Sequence, residues 1–390
     1  MHKVDIAIVG GGMVGLTLAS QLADSPFSVA LISQQPLQSP VPDTPQLRVS
    51  AINEANRTML EHAGAWQRMP AERVSPYQQM TVWDQDSFGQ IDFSCADTQT
   101  PQLGHIIENQ VLTNALAQQV ESQSNVSGVQ AGILKVLAGE HETMLMLDND
   151  DVVACKLLVG ADGANSFVRK QAAFPITFRD YGQSAIVATV RSDAPHNRVA
   201  RQVFTPDGPL ALLPLSDPHL CSIVWSQTTQ VANALYNLSD DAFSHALTAA
   251  CGSVLGVSAL ASERQMFGLT MRYARQWTKD GLVIIGDAAH TIHPLAGQGA
   301  NLGMQDAVAL AEHLHALHQQ GKSIARYRYL RPFERARKTE AMKMVAAMDG
   351  FKTLFNGNNP LKKMIRGAGL LATDNLPSVK RQFISQAMGF

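Results

Sequence analysis

Val4-Asp5-Ile6-Ala7-Ile8-Val9-Gly10-Gly11-Gly12-Met13-Val14-Gly15-Leu16 is the stretch that decides the fold. A short apolar run of β type ends in glycines and gives way to Leu16–Leu22, which reads as a helix, and Val29-Ala30-Leu31-Ile32 reads as a second strand. Strand, helix and strand in this spacing form a βαβ unit, which implies a parallel sheet buried on both faces. Within it, Gly10-x-Gly12-x-x-Gly15 has the spacing of a dinucleotide-binding turn. Glycine permits the tight turn, the close approach of backbone to a pyrophosphate, and the packing of helix on strand. The helix that the motif opens adds N–H groups and a positive dipole end for the phosphates, with Met13 and Val14 of the motif beside the cofactor. The acidic residue that usually follows about 20 positions later, to grip a ribose, has no counterpart. That strand ends Leu31-Ile32-Ser33-Gln34, so Ser33 or Gln34 would bond a ribose without charge assistance.

The bulk numbers bound what such a unit can belong to. At 390 residues the chain exceeds the size at which one core stops growing, so two domains are expected. With 45% hydrophobic and 16% charged residues it suits a globular protein with a large core, and a net charge of −2 argues against nucleic-acid binding. The four cysteines show neither CxxC nor Cys/His ligand spacing. Neither a metal site nor a disulfide framework is expected, and reduced thiols in the cytoplasm are the simplest reading. Lys3 and the apolar residues up to Ala23 resemble a signal peptide only until Asp5 and the glycines interrupt them. No apolar run reaches the length of a membrane span.

Farther along, Gln34–Pro45 holds four prolines and reads as a loop, while Asn53–Glu61 and Glu108–Glu121 read as helices. From about Ile186 to Gln265 the texture changes to short strands between turns: Ala185–Arg191, Arg201–Phe204, Leu210–Leu215 and Leu220–Trp225. This predicts a mixed or antiparallel sheet inserted into the parallel one. Gly281–Gly286 returns to the buried parallel type, and Gly299–Leu317 reads as a helix. From Lys322 onward the chain is helical and basic, with 14 Lys/Arg against 4 Asp/Glu. The expected fold is α/β: a Rossmann-like GxGxxG domain over 1–75, 100–180 and 267–345, a substrate domain over 76–99 and 181–266, and a helical extension over 346–390.

Two further motifs sit where strands run into helices. One is Gly160-Ala161-Asp162-Gly163-Ala164-Asn165-Ser166-x-x-Arg169; the other is Gly286-Asp287-Ala288-Ala289-His290, continuing to Pro294-Leu295-Ala296-Gly297-Gln298-Gly299-Ala300-Asn301. A carboxylate at such a strand end either fixes a ribose or ribityl hydroxyl or orients a loop. Amides at the start of the helix that follows would favour negative charge on a ring set against them.

These three motifs, in this order, resemble the class A FAD-dependent aromatic hydroxylases over nearly the whole chain. Leu47–Ile52, Leu103–Asn109, Pro214–Asp217 and Arg272–Ala274 are similar to the ubiquinone-biosynthesis branch. Leu213–Trp225, Tyr329–Lys338 and Gly350–Gly369 are most similar to its 2-polyprenylphenol 6-hydroxylases. The resemblance implies FAD as cofactor, NAD(P)H as a transient co-substrate without a Rossmann domain of its own, and O2 and a lipophilic phenol as the other reactants. It implies that Gly10, Gly12 and Gly15 hold the pyrophosphate, and that Arg48 reaches the phosphates or ribityl chain. Gln110 would lie along the adenosine, Asp287 would meet the ribityl hydroxyls, and Gly299, Ala300 and Asn301 would contact the isoalloxazine through backbone. Asp162 and Gly163 would serve both FAD and the visiting nicotinamide cofactor.

Some residues carry two readings. His290, His293 and Pro294 flank the presumed flavin loop. Either histidine could assist phenol deprotonation, while a strand-end histidine satisfied by its neighbours is the blander account. His105 and Tyr181 are weaker candidates on the substrate side. Leu210–Leu213, Pro214 and Trp225 line a greasy pocket or simply fill a core. Met342, Met344 and Met348 have the spacing of packing residues. Lys362, Lys363 and Arg366, with Met364, Ile365, Leu370 and Leu371, would suit peripheral attachment to the inner face of a membrane, where a prenylated substrate lives. A solvated face, an oligomer contact or a place in a biosynthetic complex are the alternatives. A simple nicotinamide dehydrogenase, a non-catalytic scaffold and a sibling hydroxylase acting at another ring position or on a soluble phenol are the rival functions.

Overall fold

The computed structural model describes residues 1–97, 100–139, 141–291 and 298–355. In chain order its strands and helices are β1 (His2–Val9), α1 (Met13–Gln21), β2 (Val29–Ser33), β3 (Val49–Asn53), α2 (Glu54–His62), β4 (Val74–Tyr77), β5 (Gln79–Asp84), β6 (Gln90–Ser94), β7 (Gly104–Glu108) and α3 (Asn109–Glu121). There follow β8 (Val126–Gln130), β9 (Ile133–Ala138), β10 (Thr143–Leu147), β11 (Val152–Gly160), α4 (Phe167–Gln171), β12 (Ile176–Ser192), β13 (Val199–Thr205), β14 (Gly208–Pro214) and β15 (Leu220–Thr228). The remainder are α5 (Thr229–Tyr236), α6 (Asp240–Ala250), β16 (Ser258–Leu260), β17 (Gln265–Ala274), β18 (Thr278–Lys279), β19 (Leu282–Ile284), β20 (His290–Thr291), α7 (Gln298–Gln319) and α8 (Tyr327–Phe355).

The N-terminal βαβ unit lies at the heart of an eight-stranded sheet ordered β18-β19-β11-β1-β2-β8, with the β9–β10 hairpin added beside β11. β1, β2, β8, β11 and β19 run parallel. Ile6, Ile8, Leu31, Leu157 and Val159 face one way, against Leu16, Leu112, Leu116, Leu310 and Leu314 of α1, α3 and α7. Ala7, Ile32, Leu158 and Ile284 face the other way, against Leu145, Phe174 and Trp277. Both faces are covered, which is why these strands read as unbroken apolar runs rather than alternating ones. Each fully buried Leu or Ile contributes about 1.5–3 kcal/mol relative to exposure.

The second large sheet has nine strands ordered β20-β17-β12-β15-β14-β13-β5-β6, with β16 on β12; β13 and β5 pair in parallel. The sheet expected from the short strands is therefore present, although Ala185–Arg191 is only part of the long strand β12. The helices α5 and α6, which strand-by-strand reading does not foresee, cover one face through Ala232, Phe243 and Leu247, packed on Ile186, Leu210, Leu212, Ile223 and Trp225. On the opposite face, Ala211 and Leu213 pack against Ala51 and Ile106. These last two belong to a small sheet, β3-β7-β4, wedged between the large ones.

The far side of that small sheet carries His105. It is 5% exposed, edge-on to Trp66 at 4.8 Å, with Nδ1 3.7 Å from Glu54 Oε1. Its neighbour in the chain, Ile106, faces the nine-stranded sheet, so alternation turns His105 into the core, away from the substrate side for which the sequence nominated it. Desolvation lowers its pKa to about 4, and Arg57, already paired with Glu54, opposes its protonation.

Among the described residues no helix is long and apolar enough to cross a membrane. Met348, the basic cluster at Lys362, Lys363 and Arg366 and its apolar neighbours lie outside the residues whose side chains are described.

His105 makes stability pH-dependent with a definite sign. Its folded-state pKa lies below the ordinary value of 6.5, so the unfolded chain takes up the proton first. Stability is complete above about pH 6.5 and falls by about 3 kcal/mol as pH drops towards 4. Denaturant melts of His105→Gln should show a shallower fall than wild type across that window; parallel curves would contradict the assignment.

Candidate functional site

Register sets the site. Val9 pairs with Gly160 across β1 and β11, and Gly160 pairs with Ile284 across β11 and β19. The three motifs therefore leave the sheet side by side at the carboxyl ends of adjacent parallel strands, where open α/β sheets bind ligands. Backbone bonds continue the row past the ladder: Ala161 N–H donates to Val9 O at 2.8 Å and Ile285 N–H to Gly160 O at 3.0 Å.

The glycines of the first motif do different things. Gly10 sits at φ +119°, and a Cβ there would lie 2.3 Å from Ala161 O. A Cβ on Gly15 would lie 1.9 Å from Gly10 O, so Gly15 is required by the turn itself. Gly12 has an ordinary φ of −85°, and nothing lies within 4 Å of where its Cβ would stand. It borders open space at the N-terminus of α1, where no side chain caps the helix and no acid occupies the first turn. Uncapped N–H groups beside open space are what a pyrophosphate needs. Val14 is the wedge that joins the first motif to the third: a Cβ on Gly286 or Gly303 would approach its side chain to 3.0 or 2.7 Å.

Asp162 looks inward to its own loop. Its carboxylate accepts from Ser166 Oγ at 2.5 Å and from the N–H groups of Phe167 and Val168 at 2.7 and 3.0 Å. Of the two roles the sequence left open, loop orientation is the one its oxygens perform. Gly163 beside it, at φ +77°, has open space where a side chain would be. Arg169 ties the second motif to the third, donating to Ala288 O at 2.8 Å and to Ala164 O at 2.7 Å.

Asp287 behaves differently. Its carboxylate reaches solvent and has no hydrogen-bond donor among the described residues, yet protein crowds it on several sides. Desolvation there pushes its pKa up, against the pull of His290 and Arg272.

The turn that presents Asp287 is anchored from behind by Asp306, which is fully buried on α7. Asp306 accepts from His290 Nε2 at 2.5 Å, from Arg337 Nε at 2.6 Å and from Gly286 N–H at 3.1 Å. His290 and Arg337 beside it hold its carboxyl below the usual range despite burial. His290 is 3% exposed and stacked on Trp277 at 5.0 Å. This is the blander of its two readings, a histidine satisfied by its neighbours. Asp306 was missed by sequence reading. The available signal was a lone acid on the stripe of Leu302, Gly303, Ala307 and Leu310.

Asn301, 5% exposed, is likewise a bolt. It donates to Ala51 O at 2.7 Å and accepts from Asn53 N–H and Asn56 Nδ2 at 3.1 and 2.9 Å. Its side chain is spent on the small sheet and α2, which leaves only backbone for a ligand. Gly299 and Ala300 precede it in the first turn of α7, and Gly299 has open space beside it.

Arg48, exposed at the start of β3, lies over the Phe267 ring at 4.9 Å and makes no ion pair among the described residues, so its charge is available. Ser33 ends β2 beside the glycine turn and donates to Gln35 O at 2.7 Å, leaving its lone pairs free. Gln110, in the first turn of α3, donates to Asn114 at 2.8 Å, and Asn114 holds Ser39 of the proline loop. Tyr181 packs with Ala185 and Leu269 on the inner face of the nine-stranded sheet. His293, Pro294 and Gly297 lie outside the described residues. Among the described residues no group of three or more His, Cys, Asp or Glu is placed to hold a metal ion.

Comparison with known proteins agrees with this geometry. The family model described as "FAD binding domain" matches residues 3–347. The chain is 36% identical to the 3-demethoxyubiquinol 3-hydroxylase of Escherichia coli (strain K12), over 100% of this chain and 99% of that protein. It is 34% identical to the mitochondrial ubiquinone biosynthesis monooxygenase COQ6 of Danio rerio, over 98% and 89% of the two chains. Among solved structures, the p-nitrophenol 4-monooxygenase PnpA from Pseudomonas putida DLL-E4 superposes with a TM-score of 0.79 at 17% identity, covering 100% of this chain and 99% of that one, a likeness of fold.

The contrast between two glycines gives a direct test. Gly12→Ala should melt like wild type when flavin-free, yet bind FAD at least about 10-fold more weakly, because its methyl group fills the ligand's space. Gly15→Ala should lower flavin-free stability itself, because its methyl group meets the turn. Equal behaviour of the two variants in thermal melts and FAD titration would show that the cleft is elsewhere.

Proposed function

The chain belongs to the FAD-dependent monooxygenases of ubiquinone biosynthesis, and from that premise we propose that it uses NAD(P)H and O2 to add one hydroxyl group to the ring of a polyprenylated phenol. The observation that carries this reading is that three strand-end motifs meet at one sheet edge, while the inner face of the nine-stranded sheet packs on the small sheet that Asn301 joins to α7. The three strand ends supply the cleft, and the inner face of the nine-stranded sheet supplies a surface suited to a greasy ring.

The residues present fit FAD. Open space at Gly12 and the uncapped amides of α1 would take the pyrophosphate, with Gly10 and Gly15 shaping the turn and Met13 and Val14 beginning the helix. Arg48, without an ion pair among the described residues, would neutralise phosphate charge. Ser33 and Gln110 would lie towards the adenosine, and Asp287, with no donor among the described residues, would accept from ribityl hydroxyls. The backbone of Gly299, Ala300 and Asn301 would lie against the isoalloxazine. Gly163, with its open side, would remain for the visiting nicotinamide nucleotide.

The chemistry FAD supplies when bound is uptake of reducing equivalents from NAD(P)H and activation of O2. The protein's part is to bind, orient and keep water out. Asp306 holds the Gly286–Asp287 turn rigid, Asn301 locks α7 to the small sheet, and the half-buried Val187 and Val224 would offer apolar surface that keeps water from the ring.

Two measurements test the proposal. With 18O2, NADPH and a 2-polyprenylphenol, mass spectrometry should find one labelled oxygen in the product; label arriving from water, or NADPH oxidation indifferent to the phenol, would contradict it. Asp287→Ala should weaken FAD binding about 10- to 100-fold, the loss expected of hydrogen bonds to a charged group. A wild-type affinity would remove Asp287 from the site.

A further inference from the structure

One row of side chains crosses the inner face of the nine-stranded sheet. Val82 of β5 stands opposite Gln202 of β13, Gln202 opposite Ala211 of β14, Ala211 opposite Val224 of β15, and Val224 opposite Val187 of β12. Directly paired residues share a face, so these five form a single strip, apolar except at Gln202. Gln202 is only 6% exposed.

Its amide is unlike those of its neighbours. Gln183 donates to Asp207 O at 2.8 Å and Gln227 to Thr205 Oγ1 at 3.2 Å, and each keeps a carbonyl oxygen sealed inside the protein. Gln202 has no hydrogen-bond partner among the described residues, and neither of its polar atoms is sealed from solvent. Its polar end opens onto the strip. Buried amides are expensive to leave unpaired, so a group that enters this space is expected to meet it.

The strip leads to the cleft. Ala211, beside Gln202, packs on Ala51, and Ala51 O accepts from Asn301 Nδ2 at 2.7 Å in the first turn of α7. Val187 and Val224 are only half-buried, so the strip is not closed over.

We infer that Gln202 is a specificity-determining residue that recognises the hydroxyl of the aromatic substrate. The inference rests on the reading above that the substrate is a phenol. A phenolic O–H donates to Gln202 Oε1, and the phenolic oxygen accepts from Nε2; one amide offers both complements, and being neutral it orients the hydroxyl without taking its proton. A site built to hydrogen-bond a hydroxyl rejects the analogue in which that hydrogen bond cannot form.

The test compares holoenzymes carrying Gln202 and Gln202→Met, a change that keeps the volume and removes the polar end. Steady-state kinetics are measured with a 2-prenylphenol and with its methyl ether, alongside the shift in flavin absorbance as each compound binds. Wild type should favour the phenol about 10- to 100-fold in KM, and Gln202→Met should lose that preference through KM rather than kcat, with flavin content unchanged. A variant that keeps the wild-type preference overturns the assignment and leaves Gln202 paired with water. Equal KM values for the two compounds in wild type overturn it as well. A wild-type enzyme that neither binds nor converts either compound overturns the phenol reading, and the role of Gln202 falls with it.

Discussion

Everything at the candidate site depends on the parallel pairing of β1 with β11 and of β11 with β19. Val9, Gly160 and Ile284 stand in one row, and each strand is followed at once by its motif. Three stretches separated by more than a hundred residues are thereby brought to one edge with no freedom to drift. A slip by one residue would turn the whole apolar set of a strand to the wrong face. Burial on both faces therefore fixes the register, and the register fixes the cleft. The candidate site is in this sense a consequence of the hydrophobic core.

Much of this was legible in the chain. Gly10 and Gly15 announced the turn because only glycine tolerates such contacts, and the apolar runs announced parallel strands because both faces are covered. The helix that opens at Met13 was read as beginning at Leu16, since its first turn has no capping side chain to mark it. Less legible were features whose logic is purely three-dimensional. The helices α5 and α6 follow a long strand without a proline or glycine boundary at Thr228–Thr229, so their pattern merges with that of the sheet. The small sheet of β3, β4 and β7 is assembled from segments that each look like loop edges.

Polar residues divide on the same principle. A carboxylate at a strand end can serve a ligand or its own loop, and spacing alone does not decide between them. The structure separates the pair: Asp162 has its oxygens occupied by the turn that follows, while Asp287 has none occupied among the described residues. The side chains of His290 and Asn301, singled out beside the presumed flavin loop, hold the scaffold through Asp306, Ala51 and Asn56. Their partners come from helices and strands far away in sequence, which is why no local pattern revealed them. Arg337 of α8 reaches the same carboxylate, so the last described helix is fastened to the turn that carries Asp287.

The central claim is that these three strand ends form a single dinucleotide cleft. Its most direct test is titration of the flavin-free protein with FAD, followed by flavin absorbance and fluorescence, with ADP as competitor. The account predicts one saturable FAD per chain, displaced by ADP because the two share the pyrophosphate turn. A protein that takes up no FAD, or binds it at a stoichiometry or place indifferent to ADP, would contradict it.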